Sequence, residues 1–176
     1  MNNWNKIFKP IVVLSVICIV ITGALALTND VTKPIIEEAT RKAQDAARLE
    51  LLPEADRFTR VDGISATDVS DVYVANNGVG AVVTSSAKGY GGTMTVMVGF
   101  SADGTIRQIK VTENAETKGI GSKVAGDPAF WTRFEGLEAK PLVLNEDVDA
   151  MSGATISSKA LISAVNAAIE GYNAID

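Results

Sequence analysis

Hydrophobic and polar positions along this chain fall into three regimes. From Ile11 to Leu27 the run IVVLSVICIVITGALAL holds 17 residues without a charge. At ~1.5 Å rise per residue this is roughly 25 Å of helix, slightly short for a hydrocarbon core of about 30 Å but inside the range of spanning helices. Lys6 and Lys9 precede the run, and no basic residue follows before Lys33. The positive-inside rule therefore puts residues 1–10 in the cytoplasm, 11–27 across the membrane and everything downstream outside. Trp4 and Phe8 suit the interfacial belt. A signal peptide has the same basic start, and Ala24-Leu25-Ala26 is an acceptable cleavage site. The apolar run exceeds the usual h-region of about 7 to 15 residues, which favours a retained anchor. Cys18 reads as a small apolar membrane residue, because Ile17 before it is bulkier than a lipobox takes.

The second regime, residues 28–53, reads as a linker helix. Thr32 is a plausible N-cap, and Lys33 and Pro34 open the helix. Ile35, Ala39, Ala43, Ala46, Ala47 and Leu51 recur near helical spacing, and Pro53 ends it. Charges of both signs on the other faces fit a solvated stalk or a contact with a partner.

The third regime, residues 54–176, reads as a domain of α+β class. DVYVAN (71–76), VGAVVTSS (79–86), GTMTVMVGFS (92–101) and GTIRQIKVTE (104–113) alternate or run with β-branched residues. Asn77-Gly78 and Asp103-Gly104 punctuate them as hairpin turns, predicting an antiparallel meander. ETKGIGSKVAG (116–126) has no periodicity and reads as a loop. Asp127-Pro128 caps a short helix that anchors Phe130, Trp131 and Phe134 in the core. PLVL (141–144) reads as a further strand. The last helix spans about 156–174, with Ile156, Ala160, Leu161, Ala164, Val165, Ala168, Ile169 and Tyr172 on its buried side. Strands followed by helices point away from a parallel βαβ fold.

Composition narrows the chemistry. The chain has no histidine and one cysteine. This excludes Ser-His-Asp and Cys-His catalysis, His-ligated haem, ordinary His-containing zinc sites, an internal disulfide and an iron–sulfur cluster held by this chain. A net charge of -5 disfavours nucleic-acid binding. No metal site and no catalytic side chain are expected, so the chemistry falls to hydroxyls, carboxylates, backbone amides or a borrowed cofactor.

The informative segment is Asp149-Ala150-Met151-Ser152-Gly153-Ala154-Thr155, where the last strand gives way to the last helix. A glycine among small residues at a helix start lets a ligand approach the backbone, and the first amides point outward with the positive end of the dipole. Phosphate binds well at such a place. The competing reading is that Ser152 or Thr155 merely caps the helix. The upstream run GIGSKVAG (119–126) has neither Walker A nor Rossmann spacing, and no strand leads into it.

This heptad matches the flavinylation motif D-x-x-[ST]-G-A-[TS] at every specified position. On it the chain resembles the FMN-binding domain family, and most closely the G subunits of Rnf electron-transport complexes, which are similar to the C subunit of sodium-pumping NADH:quinone reductase. The resemblance covers the whole chain and implies covalent FMN, joined by a phosphoester to Thr155. It implies that Ser152, Gly153 and Ala154 form the turn around the phosphate. Asp149 belongs to the motif read by a flavin transferase, orienting the Thr155 hydroxyl or a metal during transfer, or acting only as a turn-forming residue. Glu116-Thr117-Lys118-Gly119-Ile120-Gly121 resembles the family's E-T-P-G-L-G loop beside the flavin, with Lys118 in place of proline. It implies flavin contact at Glu116, Thr117, Gly119 and Gly121, against an ordinary flexible turn. Gly89-Tyr90-Gly91-Gly92 resembles another segment near the cofactor, with Tyr90 either a ring neighbour or packed at an edge and Gly91 beside it.

The function implied is that of an electron-transfer subunit of an ion-translocating oxidoreductase, not catalytic alone. It would relay electrons among the other membrane subunits of an Rnf-type complex while sodium ions or protons cross the membrane. Two alternatives stay open. One is an anchored extracytoplasmic binding module whose S-G-A-T is only a cap. The other is a flavinylated carrier serving a different extracytosolic reductase.

Overall fold

The computed structural model describes residues 8–64, 66–116 and 121–175. It divides into two compact units, one ending at Gln44 and one beginning at Asp45. The first helix, α1 (Lys9–Leu51), contributes to both.

In the first unit, the apolar side chains from Ile11 to Leu27 are exposed along the helix, as a span facing lipid requires. Beyond them the surface carries i,i+4 ion pairs, Lys33 with Glu37 and Lys42 with Glu38. The linker helix expected to start at Thr32 is not separate, because α1 runs on through Thr28, Thr32 and Pro34. Thr28 donates its hydroxyl to the Ala24 carbonyl inside the helix, at 2.9 Å. Pro34 removes one backbone donor, but the segment from Thr28 to Lys33 has no glycine to end the helix.

In the second unit, five strands form one antiparallel sheet in chain order: β1 (Phe58–Arg60), β2 (Val69–Ala75), β3 (Gly80–Lys88), β4 (Thr93–Ser101) and β5 (Ile106–Asn114). The two expected turns have Gly78 at φ 74° and Gly104 at φ 82°, values that favour glycine. Period-2 alternation divides the strands between two cores. On one face, Val83 of β3 and Met94, Val96, Val98 and Phe100 of β4 pack against Leu161, Ala164, Val165, Ala168 and Ile169 of the terminal helix. On the other face, Ala75, Val82 and Met97 meet Ala47, Leu51 and Leu52 at the end of α1. The central strands are therefore buried on both sides. The last turns of α1 belong to this folded unit, which begins upstream of the expected boundary at residue 54. Gly99 is what lets α1 approach, since a Cβ there would sit 3.1 Å from that of Leu51. Arg48 is buried, with its guanidinium 3.7 Å over the Tyr73 ring and 2.6 Å from Asp45.

After β5 come α2 (Gly121–Gly126), α3 (Pro128–Trp131), a 3-10 turn (Thr132–Phe134) and α4 (Thr155–Asn173). Asp127 caps α3 by accepting from the Ala129 amide at 3.0 Å, as expected. Phe130 and Phe134 are buried edge to face, 6.2 Å apart, and Trp131 is half-buried. Three expectations are corrected. Residues 121–126 form α2 rather than loop, closed over the core by buried Val124 and Ala125. Residues 141–144 form no strand, because Asn145 at φ 66° turns the chain at once and leaves a single bridge from Leu144 to Val148. Ile156 is 55% exposed rather than buried, since it sits on the first turn of α4 before the helix reaches the sheet.

Candidate functional site

The start of α4 is shaped by what precedes it. The Ala154 amide donates to the Met151 carbonyl at 3.0 Å, closing a turn in which Gly153 adopts φ 77°. That conformation disfavours any side chain, and the space around Gly153 is open. The N-cap position falls on Ala154, which has no side-chain cap. The cap reading for Ser152 and Thr155 is thus not the one realised, as both side chains are exposed. Alanine is a poor N-cap, and the first backbone amides of a helix have no intrahelical acceptor. The turn is held from beneath by Ser158. Its buried hydroxyl donates to the Ala154 carbonyl at 3.0 Å and accepts from the Met151 amide at 3.1 Å.

Beside this helix start lies a cleft of about 310 Å³, lined by Tyr90, Gly153, Ala154, Thr155, Ile156 and Ser157. Its size is at the small end of ligand sites. Tyr90 comes from the four-residue loop joining β3 and β4 and is 65% exposed, so it is not packed into the sheet edge. The loop closes on itself through the Gly89 amide, which donates to the Gly92 carbonyl at 2.7 Å.

Glu116 lies behind that loop. It is 8% exposed, and its carboxylate accepts from the Tyr90 amide at 2.9 Å and the Gly91 amide at 3.3 Å. A Cβ at Gly89 would lie 1.9 Å from Glu116 Oε1, and one at Gly121 would lie 2.1 Å from Oε2 and 2.6 Å from Ser157 Oγ. Two glycines are therefore needed for this carboxylate to lie against the loop, the start of α2 and the start of α4.

The structure thus brings Tyr90, Gly153, Ala154 and Thr155 to one cleft, with Gly91, Glu116 and Gly121 directly behind it. Asp149 is exposed in the preceding loop, its carbonyl accepting from Arg133 Nη1 at 3.5 Å. Thr117 and Gly119 lie outside the described residues, as do Trp4 and Lys6. Sequence reasoning missed Ile156 and Ser157 as lining residues and Ser158 as the support of the turn. A signal for Ser158 was available, since a serine four residues into a helix commonly bonds back to the i−4 carbonyl.

Two other concavities lack this chemistry. One of about 360 Å³ lies at the opposite end of the sheet against Val74, Ala81 and Tyr172. The other, about 510 Å³, is a polar surface basin around Asp103, Arg107 and Glu135. Both are lined by a glycine at positive φ, Gly78 in the first and Gly136 in the second, but neither opens on the N-terminus of a helix.

Comparisons with known proteins agree with the geometry. Residues 89–170 match the FMN-binding domain family, and residues 1–51 match the RnfG N-terminal region. The chain is 35% identical to the G subunit of the Na(+)-translocating ferredoxin:NAD(+) oxidoreductase complex of Acetobacterium woodii, over 97% of this chain and 93% of that one. It is 32% identical to the G subunit of the ion-translocating oxidoreductase complex of Methanosarcina acetivorans, over 99% and 98%. The fold is similar to the crystal structure of the C subunit of Na(+)-translocating NADH-quinone reductase from Parabacteroides distasonis. That match has a TM-score of 0.51 and 21% identity, over 60% of each chain.

Proposed function

Because the chain belongs to the G-subunit family of ion-translocating ferredoxin:NAD oxidoreductase complexes and carries an FMN-binding domain, we propose that it holds FMN covalently on Thr155 and relays electrons within an Rnf-type complex. The observation that carries this reading is the uncapped start of α4. Gly153 at positive φ, Ala154 at the cap position and exposed Thr155 together leave a helix N-terminus opening on a cleft beside Tyr90.

Residues of that kind fit a flavin phosphate. In the ester the Thr155 oxygen would displace the leaving group on the phosphorus of the transferase's flavin donor, and that group would depart with the hydroxyl's proton. The amides that open α4 would hold the remaining phosphate oxygens, whose charge the helix dipole favours. Asp149 and Ser152, exposed in the same heptad, are what a flavin transferase would read during maturation. The cleft walls, Tyr90 and Ile156, offer apolar surface to the flavin ring, with Gly91, Glu116 and Gly121 behind it; flavin contact at Thr117 and Gly119 rests on the family resemblance alone. Bound FMN supplies the electron chemistry, while the protein fixes its position and surroundings.

The apolar run from Ile11 to Leu27 anchors the subunit in the cell membrane, N-terminus in the cytoplasm and FMN domain outside. Covalent attachment suits that side, where lost FMN is not readily replaced. Anchoring keeps the flavin at high effective concentration near its membrane partners. Those partners are the other subunits of the complex, and this chain is not assigned the binding of ferredoxin or NAD.

The test is Thr155→Val, expressed with a flavin transferase and read by in-gel flavin fluorescence after denaturation. We expect the band to disappear while circular dichroism stays unchanged. Undiminished fluorescence would refute the assignment.

A further inference from the structure

The β3–β4 loop has a structural problem that Glu116 solves. The ladder between β3 and β4 ends at the Lys88–Thr93 pair, so the amides of Tyr90 and Gly91 have no strand partner. Both turn inward to one carboxylate, which is buried and lies 26 residues away in sequence from Tyr90. An anion seated on successive backbone amides is a fixed arrangement. Glycine is required on both sides of it. A Cβ at Gly89 or Gly121 would overlap the carboxylate oxygens, at 1.9 and 2.1 Å. The consequence falls on Tyr90, whose amide is held but whose ring stands 65% exposed at the mouth of the cleft containing Thr155.

We propose that Glu116 is a positioning residue that does not touch the flavin itself: by holding the Tyr90 and Gly91 amides it fixes the Tyr90 ring against a flavin carried on Thr155. This rests on the FMN reading above. It reassigns the glutamate from the cofactor's contacts to the support of one of them. Its carboxylate oxygens are engaged by the loop, while the helix start at Thr155 serves the phosphate.

The full-length protein, loaded with flavin by co-expression with a transferase, tests this through native-state flavin emission, which a neighbouring tyrosine ring quenches. Four variants are compared with wild type: Glu116→Gln, Gly89→Ala, Tyr90→Leu and the double variant Glu116→Gln/Tyr90→Leu. In Glu116→Gln an amide donor replaces one acceptor oxygen and faces a backbone N–H. Gly89→Ala keeps the glutamate but displaces its carboxylate. Loading is read separately, by fluorescence after denaturation, and folding by thermal melts. The expected result is equal loading, higher native emission in all three single variants, and no further rise in the double variant, because both changes act through one ring. Wild-type emission in Glu116→Gln and Gly89→Ala, or effects of Glu116→Gln and Tyr90→Leu that add, would overturn the proposal. Absence of covalent flavin from the wild-type protein would instead overturn the reading on which it rests.

Discussion

At the scale of single residues, Ser158 supports the turn on which the exposed members of the motif stand. Its hydroxyl ties the Met151 amide to the Ala154 carbonyl, the two ends of the turn that presents Thr155. Ser158→Ala leaves that amide half-buried without its acceptor and is expected to cost about 1 to 3 kcal/mol. Urea unfolding should show a lower midpoint at unchanged slope, and an unmoved midpoint would contradict the role. Tyr172 makes a pH-dependent contribution. Burial first, and the charge of Asp103 second, raise its hydroxyl above the ordinary tyrosine pKa. The hydroxyl also donates to the Ser101 carbonyl at 3.2 Å while the ring stacks on Phe100 at 4.4 Å. With the folded value the higher of the two, this stability is whole below the unfolded pKa of about 10 and is lost as pH rises through the folded value. Tyr172→Phe should therefore show a shallower alkaline fall in melting temperature than wild type, and an identical fall would count against it. The heptad ending at Thr155 stood out in sequence because its residues are contiguous. Ser158 could have been read with it, since its Ala154 partner lies one helical turn back. Glu116 was marked only by the family resemblance, and its hold on the Tyr90 and Gly91 amides, 26 and 25 residues upstream, was not legible.

At the scale of elements, the end of α1 is half of a core. Leu51 is fully buried against the sheet at Gly99, and Ala47 and Leu52 lie beside it. Leu51→Ala should cost about 2 to 5 kcal/mol by thermal or urea unfolding. A fragment of residues 54–176 should melt at a lower temperature than one of residues 45–176, because only the longer one covers Val82 and Met97. Equal melting temperatures would show that this face needs no helix. The meander was readable in sequence because β3, β4 and β5 carry long β-branched runs, with glycine turns between β2 and β3 and between β4 and β5. β1 was not readable: its three residues, Phe58–Arg60, become a strand only by pairing with Ala75, Val74 and Tyr73. PLVL misled in the other direction, since its alternation is cut short by Asn145. The Gly-rich stretch hid α2, six residues too short to show a helical period. Thr32 and Pro34 read as a helix start but lie inside α1, where one missing donor is tolerated.

At the scale of the whole molecule, charge and apolar surface are segregated along the chain. All 21 acidic residues lie beyond Leu27, while Lys6 and Lys9 lie ahead of or at the start of the apolar run. This asymmetry supports an exported, mildly acidic domain behind a membrane anchor. Protease added outside intact spheroplasts should degrade residues 45–176 and spare an N-terminal tag, and the reverse pattern would invert the proposed topology. The lack of histidine and the single exposed cysteine on α1 agree with a chain whose redox chemistry resides in one flavin rather than in its side chains. That claim is tested most directly by the intact mass of the full-length protein co-expressed with a flavin transferase. The account predicts wild-type protein heavier by one FMN less one water, with the increment on the peptide containing Thr155 and lost in Thr155→Val. A wild-type mass equal to that of the bare polypeptide, or an increment that survives Thr155→Val, would contradict it.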